Sequence, residues 1–294
     1  MFAPQNRGMA RTPGPRIRRW STQRLIRRAL AHSAPGAAWN AVALLQRRGC
    51  AVTLAQVQVL ARSANAHRRA LAMDIAAQLQ LPGRAGMADP AAFAPEATQA
   101  LLVAGLSDPN AGVLQAAICG LAHRPSAIAL PRLLALLEHP AARIRLALAR
   151  TLGSYAEPEA TAALMRLARD RDDDVRDWAT FGIGALRDTD DEAVRALLWT
   201  NAHDPDRDVR GEAVVGLARR GDPRVVDLLK ERLNGGDCRG YELEAVQEMP
   251  RPELLEPLQT LLADAERTRA HSGAWLRELL DAIDACELVA DAAA

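Results

Sequence analysis

Lysine occurs once in this 294-residue chain, at Lys230, against 36 arginines, and no acidic residue precedes Asp74. Aromatic residues are also scarce at 3%, which argues against a β-rich fold, because strands favour aromatic and β-branched side chains. The four cysteines, Cys50, Cys119, Cys238 and Cys286, stand far apart. Without a Cys-x-x-Cys pair there is no zinc or redox spacing, and a reducing, cytoplasmic compartment is the expectation. No apolar run reaches the ~20 residues that a membrane-spanning helix requires. The N-terminal arginines, Arg18-Arg19 among them, are not followed by the apolar stretch of a secretory signal. Walker loops, nucleophile elbows, His-Glu-x-x-His and His-Glu dipeptides are all missing. No catalytic residue, cofactor or metal is therefore expected.

What the chain does have is an uneven charge distribution. Thirteen arginines fall in residues 1–73, while the remaining 221 residues carry 24 basic and 36 acidic groups. Residues 1–15, with Pro4, Gly8, Pro13, Gly14 and Pro15, read as a disordered tail, within which Met9 offers an alternative start. Residues 16–81 read as basic, divergent helical repeats. They comprise a helix from Ile17 to about Ala31, a break at Pro35-Gly36, a helix from Ala37 to Arg48, a third capped by Thr53 and a fourth over 66–80. Residues 82–95, with three prolines and two glycines, read as a loop. Arg16, Arg18, Arg19, Arg24, Arg27 and Arg28 would form a cationic helix face. Such a face suits nucleic acid, an anionic membrane surface, an acidic protein or the chain's own acidic repeats.

The strongest organisation lies between residues 106 and 218, where one pattern recurs four times. Its copies start at Asp108, His139, Asp170 and Asp204, spaced 31, 31 and 34 residues apart. Five positions later stands a β-branched residue, Val113, Ile144, Val175 or Val209, followed by Leu114, Arg145, Arg176 or Arg210. Apolar residues continue at helical spacing, as in Ala117 and Leu121 or Ala213 and Leu217. A period of this length signals stacked helical hairpins, because one hairpin cannot bury its apolar stripe without neighbours. Glycine or threonine at 120, 151, 182 and 216 would let neighbouring helices approach closely. Helix pairs are expected at 96–106 with 111–122, 127–138 with 141–153, 158–169 with 173–186, 191–202 with 207–219, and 223–233 with 240–248. The regular repeats thus occupy 96–250, and residues 251–294 close the array with a capping pair.

Asp170 and Asp204 stand where a second helix begins and are expected to accept its free amide hydrogens. Arg145, Arg176 and Arg210 lie a turn and a half further on, within reach of an aspartate or carbonyl of the next layer. The expected product is a structural ladder of polar links along the seam, interrupted at Leu114 and His139. The stretches Asp170-Arg-Asp-Asp-Asp-Val-Arg-Asp-Trp-Ala179 and Asp204-Pro-Asp-Arg-Asp-Val-Arg-Gly-Glu-Ala213 resemble the HEAT-repeat family, in particular its bacterial branch first noted in phycobilisome lyases. The resemblance implies an all-α, right-handed solenoid of about six to eight hairpins. It also implies a non-catalytic scaffold that binds a protein partner on the curved surface of its second helices, where Asp173, Asp177, Trp178, Asp208 and Glu212 are the candidate contacts. Some relatives are enzymes: base-excision glycosylases, lyases and metal-dependent hydroxylases. For a glycosylase, Asp177-Trp178 near Trp199 is the best available carboxylate–aromatic pair.

Overall fold

Each regular second helix is preceded by the same short turn. In the computed structural model, which describes residues 17–31, 35–82, 91–186, 188–235 and 238–293, the residue two positions after each copy's start is the N-cap. Asn110 Oδ1 accepts from the Gly112 and Val113 amides, Asp172 Oδ1 from Val175, and Asp206 Oδ1 from Asp208 and Val209. The capping role expected of Asp170 and Asp204 therefore belongs to Asp172 and Asp206. Asp108, Asp170 and Asp204 instead accept the amide of the N-cap residue itself, at 2.8–2.9 Å, and close the turn that leads into the helix.

The chain is all-α, a solenoid of stacked helical hairpins, and it divides into two units at Tyr155/Ala156. Unit 1 contains α1 (Thr22–Leu30), α2 (Pro35–Gln46), α3 (Ala51–Ala61), α4 (Ala66–Ala77), α5 (Pro95–Gly105), α6 (Ala111–His123), α7 (Leu130–Leu134) and α8 (Ala142–Leu152). Its second helices α4, α6 and α8 pack side by side in a row. The core lies between that row and the first helices, with Leu71, Ile75, Leu102, Ile118, Leu121, Leu133, Ile144 and Leu148 buried. An isolated bridge joins Gln80 to Ala92 across the expected loop, most of which (83–90) lies outside the described residues.

Unit 2 contains α9 (Pro158–Leu167), α10 (Asp173–Gly184), α11 (Glu192–Asn201), α12 (Arg207–Arg219), α13 (Arg224–Gly235), α14 (Gly240–Glu248), α15 (Leu255–Ala263), α16 (Ala265–Ala270) and α17 (Gly273–Ala293). Here α10, α12, α14 and α17 form the row of second helices. Helices α10 and α12 approach closely. A Cβ built on Gly216 would stand 2.8 Å from the Gly184 Cα, so the backbones are in contact there and only glycine fits.

Of the three arginines expected to link layers, Arg176 bonds the next layer. Arg176 donates from Nε and Nη2 to the two carboxylate oxygens of Asp204, each at 2.9 Å, and from Nη1 to the Asp170 carbonyl at 3.0 Å. Arg210 and Arg145 donate to the carbonyls of the turns that precede their own helices. Leu114 is buried and forms no such link, and His139 Nδ1 accepts the Ala141 amide. A further link appears earlier in the chain: Arg69 grips Asp108 at 2.7 and 2.9 Å and donates to the Ser63 and Ala64 carbonyls. Helix α4 is therefore another copy of the pattern, beginning at Ser63. It carries Arg68 where the others have a β-branched residue, and the inserted loop lengthens its spacing to Asp108.

Three local expectations are corrected. Thr53 does not cap α3; Cys50 holds the N-cap position, and Thr53 is buried within the helix with its Oγ1 3.4 Å from the Cys50 Sγ. Pro35 opens α2 instead of separating two helices, since a proline costs nothing where the amide has no partner. The helix expected over 127–138 shrinks to α7, flanked by turns.

Candidate functional site

The exposed side of the second-helix row in unit 2 concentrates carboxylates. Asp208 is exposed at the N-terminal end of α12, where the helix dipole favours a negative charge. One turn on, Glu212 is largely buried, and desolvation together with the nearby Asp177 and Glu244 carboxylates pushes it up to about 8. Arg219 opposes this shift, while Asp208 adds to it. The Tyr241 hydroxyl is also raised, by burial first and then by Glu212, Asp208 and Asp177. Glu244 is raised by burial, although Arg219 binds it at 3.0 Å and binds Glu248 at 2.9 Å. Three neighbouring helices thus hold a group of carboxylates whose effect on Glu212 and Tyr241 is offset only in part by Arg219 and Arg207.

Of the five candidate contacts, the structure gathers Asp177, Asp208 and Glu212. Asp173 is exposed at the start of α10 and acts on the Arg176 guanidinium. Trp178 is half-buried and meets Phe181 edge to face, with ring centroids 5.7 Å apart. Trp199 lies under Arg224, which covers one face of its ring, and meets His203 edge to face. In the basic N-terminal group, Arg19, Arg24, Arg27 and Arg28 are exposed, while Leu25, Ile26 and Ala29 fill the buried side of α1. Arg16 and the Arg18 side chain lie outside the described residues.

Tyr241, Glu244 and Glu278 escaped sequence reasoning. A count of 34 onward from Asp204 reaches Cys238, which makes Leu243 the buried apolar residue of that copy and Glu244 the residue in the arginine position. That count was the available signal. Tyr241 lies across Gly211: a Cβ there would be 2.2 Å from the ring, so the glycine is what lets the ring sit down on α12. Beside it opens a trough of about 340 Å³ lined by Arg207, Arg239, Tyr241, Glu244, Gln247 and Glu278.

Among the described residues no group of three or more His, Cys, Asp or Glu is arranged to hold a metal ion, and no helix is long and apolar enough to cross a membrane. His203 Nδ1 pairs with the Trp199 carbonyl at 2.8 Å, a local role like that of His139. Cys50, at its helix N-terminus, has a thiol pKa lowered by the Thr53 hydroxyl, whereas burial raises that of Cys119.

The model of the family described as HEAT repeats matches residues 99–184 and 167–249, together just over half of the chain. Protein YibA of Escherichia coli (strain K12) is 33% identical over 99 residues, a stretch that covers 34% of this chain and 35% of YibA. The X-ray structure of E. coli YibA superposes with a TM-score of 0.69 at 22% identity and covers 98% of both chains, a likeness of fold. The complex of CpcE and CpcF of phycocyanin lyase from Nostoc sp. PCC7120 aligns at a TM-score of 0.46 and 16% identity, over 97% of this chain and 98% of that one.

Proposed function

The chain belongs to the HEAT-repeat family, and from that premise we propose that it is a non-catalytic scaffold that docks a protein partner on the second-helix face of unit 2. The observation that carries this is the group of Asp177, Asp208 and Glu244 around Glu212 and Tyr241 on three adjacent helices, where burial first and the neighbouring carboxylates second raise Glu212 and Tyr241. Carboxylates crowded and partly desolvated in this way cost stability. A broad face of this kind binds through many modest contacts around a few central ones and needs no reacting group. Asp177-Trp178 serves a glycosylase poorly, since the acidic neighbourhood repels a phosphate backbone.

The test is capture of the partner from the native cell by the intact protein and by Asp173→Lys with Asp208→Lys. Both positions are exposed, so the substitutions should abolish capture at a cost of about 0.5 kcal/mol each through the helix dipole. Undiminished capture sinks the proposal. Glu212 is unsuited to this test because its burial would mix docking with folding.

The exposed Arg19, Arg24, Arg27 and Arg28 support a second reading, that α1 binds a polyanion. Binding of short duplex DNA that weakens with salt and is lost on removal of residues 1–30 would establish it; equal binding by the truncated chain would remove it.

A further inference from the structure

On the assumption that the second-helix face of unit 2 is the docking surface, we propose that its trough over Tyr241 receives arginine or lysine side chains from a basic segment of the partner protein. Three features of the trough select that guest. The first is shape: about 340 Å³ accommodates more than one extended side chain. The second is the aromatic wall. Tyr241 is fixed by its seat on Gly211, and a ring face attracts a guanidinium or ammonium ion. The chain makes such contacts itself, with Arg24 4.1 Å from the Trp20 ring centre and Arg224 4.6 Å from that of Trp199.

The third feature is charge. Glu244 and Glu278 line the trough, and Asp177, Asp208 and Glu212 act on Tyr241 from the α10 and α12 side. Arg207 and Arg239 also line it and balance the two glutamates, so the excess of negative charge comes from Asp177 and Asp208 beside the trough, while Arg219 is engaged by Glu244 and Glu248. A single metal ion does not answer the geometry, because the carboxylates spread over several helices and form no ligating group. An elongated cationic partner reaches them together, through charge-assisted hydrogen bonds.

The experiment titrates the full chain into a short fluorescent peptide that alternates arginine with serine, and into versions with glutamine or glutamate in place of arginine, read by anisotropy. The arginine peptide should bind and the other two should not. Glu244→Gln with Glu278→Gln should weaken binding about tenfold, as expected when two solvent-exposed charge contacts are lost. Tyr241→Phe should retain binding and Tyr241→Ala should weaken it. If Tyr241→Ala fails to fold by circular dichroism, the glutamate pair decides. Glu192→Gln and Asp227→Asn, exposed on the first helices, should change nothing. Equal affinity for all three peptides, an unaffected Glu244/Glu278 variant, or displacement of the peptide by stoichiometric spermidine overturns the proposal. Partner capture that depends on Asp173 and Asp208 without any arginine-peptide affinity overturns the basic guest and leaves the docking face intact; absence of both removes both.

Discussion

Removal of the Asp204 carboxylate should destabilise unit 2 by about 2–3 kcal/mol. Asp204 receives both forks of Arg176 at 2.9 Å and the Asp206 amide at 2.8 Å, with side chains only 15% (Arg176) and 11% (Asp204) exposed. Hydrogen bonds to charged groups contribute about 1.5–3 kcal/mol net, and stranding one member of a buried pair costs roughly 3–5 kcal/mol. Residual solvent access to this pair lowers the figure to the middle of those ranges. Asp204→Asn, which can still accept the Asp206 amide, should cost less than Asp204→Ala, and the difference isolates the ion pair from the turn. In a double-mutant cycle with Arg176→Met, the coupling should be at least about 1 kcal/mol. Urea unfolding followed by circular dichroism measures the totals. Because repeat arrays need not unfold in one step, amide exchange at the start of α12 should locate the loss. A cost under about 0.5 kcal/mol, or strict additivity, would show that the link is ornamental.

Gly211→Ala should push the Tyr241 ring off α12 and cost about 1–2 kcal/mol in urea unfolding, because overpacking outweighs the ~1 kcal/mol gain in helix propensity; a neutral or stabilising effect would mean the ring has free room to move. Glu212 titrates near 8 in the folded chain and near 4.3 when unfolded, so its stabilising contribution is intact below the lower value and lost as pH rises through the upper one. Glu212→Gln should therefore match the parent in acid and exceed it by about 1–2 kcal/mol above pH 8, allowing for its remaining solvent contact; a pH-independent difference would refute the assignment. Iodoacetamide should modify Cys50 faster than Cys119, and Thr53→Ala should slow it; equal rates would contradict the hydrogen-bonded thiol.

The fold was legible because its physics repeats. The residue five positions into each copy, from Val113 to Val209, is buried, as is the stripe that follows it. Local conflicts hid the rest. Arg68 in place of a β-branched residue concealed the copy beginning at Ser63, although Arg69 marked it. Asp170 and Asp172 are both plausible caps by composition, and only the turn geometry separates them. The candidate face was half legible. Asp177, Asp208 and Glu212 fall at positions between the apolar residues of regular helices, Asp208 exposed and the other two partly buried, but Tyr241 and Glu244 belong to a copy whose start is Cys238, without an aspartate to announce it. A residue's partners across layers, such as Tyr241 on Gly211, follow from stacking register, which a single sequence does not specify.

A photo-crosslinking residue placed singly at Asp208, on the second-helix face, and at Asp227, on a first helix, tests the docking face most directly. In the native cell, light should join a specific protein to the Asp208 variant and not to the Asp227 variant. Crosslinks of equal yield at both sites, or at Asp227 alone, would contradict a partner seated on the second helices.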